Sequence, residues 1–288
     1  MNALVRLDRR LGSARLRSAA EAELTLITTL ISDSTYDAGI AAGLYAVAAT
    51  AAGVSGWIAY DSGDQTLAEA RYTIALSFAK EAAWPADVEL RTYLAALLAH
   101  QQCAVGELTT ALHLLQAEDD TVRRGWTSPR TEAAFHLASA RVHATLRNAQ
   151  ASFQSIDAAR RALQHNGVSL PTMLNSWVTP VQLELEAGYD LLALGLPRQA
   201  LPYFDVLHTE VFPAQQDVRQ SSILFTAAAT AHLQTGDLDA AVACARHAQA
   251  FLVAVESTRA TQRLSGLRRI LMAHQQAPAV RAYFDEIE

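Results

Sequence analysis

A recurring pattern of small residues around short turns most constrains how this chain can fold. Five turns are centred on Gly63, Gly106, Arg147, Gly195 and Gly236. Five positions after each turn residue stands a small side chain: Ala68, Ala111, Ser152, Ala200 and Ala241. Seven positions before each stands another: Gly56, Ala99, Ala140, Gly188 and Ala229. Small residues on both sides of a turn predict paired helices that cross closely, and their recurrence every 41 to 48 residues predicts a helical repeat.

The turn chemistry and the composition both favour helices. Glycine ends a helix readily in the left-handed conformation, and Asp64 and Asp237 follow as N-cap candidates for the next helix. Gly and Pro are few, and no long run alternates β-branched with polar residues. We predict an all-α protein, a tetratricopeptide-like right-handed α-solenoid of about five helical hairpins with end caps.

The predicted solenoid divides into three parts. Residues 1–35 are predicted to form N-terminal capping helices, and residues 36–288 the tetratricopeptide-like repeat domain. The segment 165–180 is rich in Gly, Pro, Ser, Thr and Asn, which predicts an ordered linker within that domain.

The stretch 38–60 has no charged side chain and is long enough to cross a bilayer. It is dominated by Ala and Gly, and it contains few of the large aliphatic residues that drive membrane insertion. The repeat register instead makes it the first helix of a hairpin. We therefore expect no membrane partner.

Charge and cysteine content limit the other classes of function. The net charge is −6 and the pI is about 5.8, with no cluster of cations that would neutralise several phosphates, so we expect no direct binding of nucleic acid. Cys103 and Cys244 form no metal or redox motif, and the N-terminus does not resemble a secretory signal. A cytoplasmic location follows as the expectation.

Several stretches resemble one protein family. "GWIAYDSGDQTLAEARYTIALSFAKEA", "TMLNSWVTPVQLELEAGYDLLALGLPRQALPYF" and "VESTRATQRLSGLRRILMAHQQAPAVRAYFDEI" are similar to successive parts of the C-terminal half of actinobacterial helix-turn-helix regulators of the xenobiotic-response-element type. "RLDRRLGSARLRSAAEAEL" resembles the segment that follows the DNA-binding domain of that family. The resemblance implies a tetratricopeptide-like sensor or interaction half, with the DNA-binding domain absent. It supplies no catalytic or ligand-binding residues.

In such a solenoid the first helix of each hairpin lines a concave groove. The register places seven aromatic or polar side chains there, which we predict to bind ligand: Trp57, Tyr60, Asp61, Tyr93, His100, Arg141 and Tyr189. Aromatic rings would bury apolar surface, and Arg141 would pair with a carboxylate. Such a lining suits a peptide, a protein segment or a small molecule. The structural alternative is that Trp57 and Tyr60 pack on the N-terminal helix and that Asp61 caps a helix.

No sequence motif indicates a cofactor or a metal, and His136 and His143 lie too far apart along a helix to share one zinc ion. The basic stretch "ESTRATQRLSGLRRIL" is interpreted as a capping helix with a polar outer face. We therefore expect a non-catalytic, regulatory sensor or adaptor.

Two alternatives remain open. The first is a repeat protein recruited as an enzyme or accessory protein in a biosynthetic pathway, which would use Asp61, His100 or Tyr189. The second is an antagonist that dimerises with full-length relatives, so that a homodimer is also possible. An open groove would favour binding, whereas a closed cavity with perturbed carboxylates and a histidine would favour catalysis.

Overall fold

The structure is a computed structural model that describes residues 2–33, 35–164, 174–209 and 217–287. These residues contain fourteen α-helices and three short 3₁₀ helices, with no strand among them. The α-helices are α1 (Asn2–Leu11), α2 (Arg17–Asp33), α3 (Ala38–Asp61), α4 (Gln65–Glu81), α5 (Ala86–Val105), α6 (Leu108–Arg123), α7 (Pro129–Thr145), α8 (Ala149–Gln164), α9 (Pro180–Ala193), α10 (Pro197–Phe204), α11 (Val218–Thr235), α12 (Leu238–Leu252), α13 (Thr258–Leu271) and α14 (Pro278–Asp285). The all-α prediction is confirmed.

The turns adopt the conformations that the sequence predicts. All four turn glycines have positive φ angles, between 79° and 92°, and Arg147 takes the same role with φ 61°. Asp64 accepts a hydrogen bond from the backbone N–H of Leu67 at 3.1 Å, which caps α4. Asp237 caps α12 in the same way. Each turn therefore ends one helix and starts the next within a few residues.

The ten small residues of the repeat pattern are all buried at helix crossings. A Cβ atom added to Gly56 would lie 2.8 Å from the ring of Tyr72, and one added to Gly188 would lie 2.7 Å from Cβ of Tyr203. No larger side chain fits at these contacts without moving a neighbour. The predicted close crossing is confirmed.

Successive helices pack in two rows. Helices α3, α5, α7, α9, α11 and α13 each pack against the next member of this series. The partner helices α4, α6, α8, α10 and α12 pack on their own hairpin partners. The first row is the one that lines the inner side of the structure.

The two end regions of the described chain meet: α1 on one side and the segment from α11 to α13 on the other. The backbone N–H of Glu256 donates to the carbonyl of Leu11 at 3.3 Å, and helix α1 packs against α11. Gly12 lies so close to the backbone of Glu256 that an added Cβ would stand 2.1 Å from the Glu256 carbonyl oxygen. With φ at 85°, Gly12 also has a conformation that other residues rarely adopt. The N-terminal cap therefore closes over the inner row.

Among the described helices, α3 is the one that is long and apolar enough to cross a membrane. Residues 48–61 of this helix are nearly all buried by neighbouring helices, whereas Ile40 and Val47 near its start are exposed. Asp61 at its end is fully buried and ion-paired inside the protein. The C-terminal half of α3 is thus a core helix of the fold.

The predicted linker 165–180 is described in part, and residues 165–173 lie outside the described residues. The described part is fixed by side-chain contacts to α5 and α7. Nε1 of Trp177 donates to Oη of Tyr93 at 2.8 Å, and the amide of Asn175 donates to Oγ1 of Thr131 at 3.1 Å. This turn completes one wall of the inner space.

Candidate ligand-binding cavity

A partly enclosed cavity with a volume of about 310 Å³ lies inside the row of first helices. Side chains from seven helices line it: α1, α3, α5, α7, α9, α11 and α13. The turn at 174–179 contributes as well. Because both the first helix and the thirteenth contribute, the cavity depends on the meeting of the chain ends.

Five of the seven predicted site residues line this one cavity: Trp57, Tyr93, His100, Arg141 and Tyr189. They come from four different helices, separated by up to 132 positions in the sequence (Trp57 to Tyr189). The register of the repeat therefore identified residues that the fold brings together.

The other two, Tyr60 and Asp61, lie one layer behind the wall. Tyr60 is 2% exposed, and the centre of its ring is 5.8 Å from that of His100 in an edge-on arrangement. Asp61 is fully buried, where it accepts hydrogen bonds from Nε of Arg259 at 3.0 Å and from Oγ of Ser257 at 3.1 Å. The end of α3 is covered by the start of α13, so neither residue lines the space that their register position suggested.

A buried ion network joins α1 to α3, α11 and α13, with Asp8 and Arg219 in the cavity wall and Asp61 behind it. Nη1 of Arg219 donates to Oδ2 of Asp8 at 2.7 Å and lies 3.5 Å from Oδ2 of Asp61. Nε1 of Trp57 donates to the same Asp8 oxygen at 3.3 Å. Burial alone would raise the pKa of Asp61, but the guanidiniums of Arg219 and Arg259 outweigh it and hold that pKa below its usual value. Helices α1, α3, α11 and α13 are thereby tied together.

Two donors in this network have no hydrogen-bond partner among the described residues. They are the buried atoms Nη2 of Arg259 and Nε of Arg219. A buried donor without a partner costs about 1–3 kcal/mol, so the polar part of the site is not saturated by the protein itself.

A second polar cluster lies where α7 and α9 line the cavity. Nη2 of Arg141 donates to Oε2 of Glu186 at 2.8 Å, and its Nε donates to Oδ1 of Asp190. The guanidinium also lies over the ring of Tyr189, 4.1 Å from its centre. Burial raises the pKa of the Asp190 carboxyl to about 6, against the charge of Arg141. Glu186 lines the cavity, whereas Asp190 lies behind it.

His100 stands between the two clusters. Burial lowers its pKa well below the usual value for histidine, and the guanidiniums of Arg141, Arg259 and Arg263 lower it further. The imidazole is therefore neutral at pH 7, with one nitrogen that donates and one that accepts a hydrogen bond.

The prediction that the arginines of α13 belong to a polar outer face is wrong for Arg259 and Arg263, whereas Arg269 is exposed. Arg259 and Arg263 face the cavity and do not belong to a solvated outer face. Arg259 lies 5.1 Å from the centre of the Trp57 ring, and Arg263 lies 5.0 Å from that of Tyr189. Their spacing of four residues, which puts both on one side of a helix, was the available signal. The sequence around Arg219 gave no such signal, because α11 contains no other arginine, lysine or carboxylate.

The remaining wall is apolar. It consists mainly of the side chains of Val54, Ala96, Leu97, Ala134 and Leu137, with Trp177 across from them. A compound with an apolar body and a polar end would match both halves of the cavity.

Comparisons with known proteins support the fold and nothing finer. No model of a known protein family matches this chain, and no curated protein matches it. A solved structure described as "Crystal structure of BtubC (BKLC) from P. vanneervenii" superposes with a TM-score of 0.54 and 17% sequence identity. The match covers 84% of this chain and 91% of the other. At this identity the likeness concerns the helical architecture alone.

Proposed function

We propose that this protein is a non-catalytic binding module that holds a small molecule in the cavity between its inner helices. The observation that carries the proposal is the origin of the wall: helices from both ends of the chain contribute to it. A bound molecule would touch α1 and α13 together, so occupancy would stabilise the closed arrangement of the chain ends. Such coupling is what a sensor or adaptor requires.

The size and position of the cavity favour a small molecule over a protein or a peptide. Its volume of about 310 Å³ lies at the lower end of the range for small-molecule pockets, about 300–1,000 Å³. Helix α1 packs across the inner row where an extended peptide would otherwise lie, with Asp8 held by Arg219. A peptide would first have to displace that helix.

We also propose that the helix pairs constitute a right-handed tetratricopeptide-like solenoid of about five hairpins, related to the sensor half of the helix-turn-helix regulators that the sequence resembles. The two-row packing and the buried small residues support this relation. In that setting a cytoplasmic ligand would act on a regulatory partner protein, and the acidic net charge argues against direct binding of DNA.

Native mass spectrometry of the protein purified from its own host tests the main proposal. We expect a retained small molecule in the wild type, released on denaturation. Ala138 lines the cavity on α7, so an Ala138→Phe variant would fill part of the space. The retained mass should be lost from this variant while its helix content, measured by circular dichroism, stays unchanged. Retention of the same mass by the variant would contradict the proposal.

A second candidate is acid–base catalysis, which the partly enclosed cavity, the neutral His100 and the raised pKa of Asp190 favour. It ranks second because Asp190 and Asp61 lie behind the wall and are ion-paired to arginines. Tyr189 and Glu186 lie on the same wall, whereas Asp61 is committed to three partners behind it. A His100→Gln variant separates the two candidates. If the protein only binds, any molecule that the variant retains should have the same mass as that of the wild type, even where the variant binds it less tightly. If the wild type instead releases an altered molecule that the variant retains unaltered, the protein is an enzyme.

A third candidate is the dimerising antagonist, which the exposed apolar residues of the N-terminal helices favour. Leu26 and Leu30 on α2 are 61% and 43% exposed, and Ile40 on α3 is 53% exposed. Light scattering after size-exclusion chromatography measures the mass in solution. A dimer that Leu26→Glu converts to a monomer would support this candidate. A wild-type monomer at all concentrations would exclude self-association, and the candidate would then require a mixed dimer with a full-length relative.

A further inference from the structure

Among the described residues, Arg9 and Arg263 are the cavity arginines with no carboxylate within 4 Å, and Arg263 is the one on α13, beside His100. Arg141, Arg219 and Arg259 are each within 4 Å of at least one carboxylate, and Arg9 donates to the hydroxyl of Ser176 at 3.1 Å. No described carboxylate lies within 4 Å of the Arg263 guanidinium, whose hydrogen bond goes to the phenol of Tyr60. The Arg263 guanidinium therefore makes no direct ion pair with a described carboxylate, and the charge of Glu186 acts on it only from farther away.

The surroundings of Arg263 leave room for an anion to stabilise its charge, because burial and the charge of Arg141 lower the pKa of Arg263. The guanidiniums of Arg263 and Arg141 lie 5.0 Å and 4.1 Å from the centre of the Tyr189 ring. Neutral His100 stands nearby and offers one further hydrogen bond. Nη2 of Arg259, buried and without a partner, belongs to the same side of the cavity.

We infer that Arg263, with His100 and Arg259 beside it, binds the carboxylate of a ligand whose aromatic or aliphatic body lies on the apolar wall formed by Val54, Leu97 and Leu137. This inference rests on the proposed binding function and names the ligand class. The planar guanidinium matches the two oxygens of a carboxylate. Arg263 supplies one positive charge beside His100, and the carboxylate of Glu186, which also acts on Arg263, disfavours a second negative charge there. A monoanion therefore fits better than a phosphate dianion.

The test uses probes that differ in charge but hardly in shape. Isothermal titration calorimetry on the full chain at pH 7.5 compares 2-naphthoate with its neutral amide, 2-naphthamide, and with 2-naphthyl phosphate. We expect the wild type to bind the carboxylate about tenfold or more tightly than the amide, which is the factor that one charge-assisted hydrogen bond provides. The phosphate should bind less tightly than the carboxylate.

Variants of α13 assign the effect to one side chain. Arg263→Met should weaken binding of 2-naphthoate about tenfold or more and leave 2-naphthamide unchanged, so that the preference disappears. Arg263→Lys should keep part of the preference because it keeps the charge. Arg269, exposed on the same helix, provides the matched control, and Arg269→Met should bind like the wild type. Circular dichroism checks that each variant is folded.

Three results would overturn the inference. Equal binding of carboxylate and amide by the wild type would do so while leaving the binding role of the cavity intact. A preference that persists in Arg263→Met would place the anion elsewhere. Binding of none of the probes would remove the proposed ligand class, and the mass retained from the host would then decide separately whether the cavity binds anything.

Discussion

Replacing Arg219 with methionine is the substitution whose cost follows most directly from the structure. Arg219 is 3% exposed. Its Nη1 atom donates a hydrogen bond to Asp8 at 2.7 Å and lies 3.5 Å from Asp61. Methionine keeps most of the volume and removes the charge. Asp61 retains its bond from Arg259, so the loss falls mainly on Asp8, which is 4% exposed.

Removing one partner of a buried ion pair costs about 3–5 kcal/mol, because the other charge stays buried. Asp8 keeps hydrogen bonds from Oγ of Ser13 at 2.5 Å and from Nε1 of Trp57 at 3.3 Å. We therefore expect Arg219→Met to lower the free energy of unfolding by about 3 kcal/mol, the lower end of that range. Adding Asp8→Asn should restore about 1–2 kcal/mol, since the amide needs no counter-charge.

Urea unfolding followed by far-UV circular dichroism at pH 7 measures these free energies. Arg269→Met, on an exposed surface, should change the unfolding free energy by less than about 1 kcal/mol. If Arg219→Met costs no more than Arg269→Met, or if Asp8→Asn worsens the double variant, the assignment of Arg219 as the link between the chain ends is wrong.

Three further predictions use other parts of the fold. Gly56→Ala should destabilise the protein by about 1–3 kcal/mol, because the added methyl group contacts the buried Tyr72 ring. Gly43→Ala on the same helix, with nothing within 4 Å, should stabilise it by up to about 1 kcal/mol. Equal effects of the two variants in urea unfolding would refute the close crossing of α3 and α4 at Gly56. Gly12→Ala should separate α1 from the backbone of residue 256 and speed limited proteolysis near the N-terminus; a wild-type cleavage rate would contradict closure there. Burial lowers the pKa of His136 from 6.5 to about 4, so below pH 6.5 the unfolded chain takes up a proton that the folded chain does not, and stability falls as the pH drops towards 4. His136→Gln should flatten this decline in thermal unfolding between pH 7 and 4.5, and an unchanged slope would count against the assignment.

The helical architecture was predictable because its determinants are local. The turn glycines, the caps Asp64 and Asp237, and the small residues such as Gly56 and Gly188 each act within one hairpin, and the structure has all of them where the sequence placed them. The same register located five of the cavity residues, because equivalent positions of successive first helices face the same side.

What the sequence did not reveal depends on contacts between distant segments. Asp8 and Arg219 are 211 positions apart and meet because the chain ends close on each other, which no repeat pattern encodes. That closure converts the expected open groove into a partly enclosed cavity. The same closure covers Asp61 and places Arg259 and Arg263 in the cavity wall. A helical pattern alone cannot distinguish arginines that face a cavity from arginines on the solvated face of a capping helix.

A crystal structure of the wild-type protein grown with 2-naphthoate would show where the carboxylate of the ligand lies. We expect electron density for one naphthoate inside the cavity, with its carboxylate on Arg263 and its rings against Leu97 and Leu137. Density for the compound only on the outer surface, or a cavity that contains water alone under saturating conditions, would contradict this expectation.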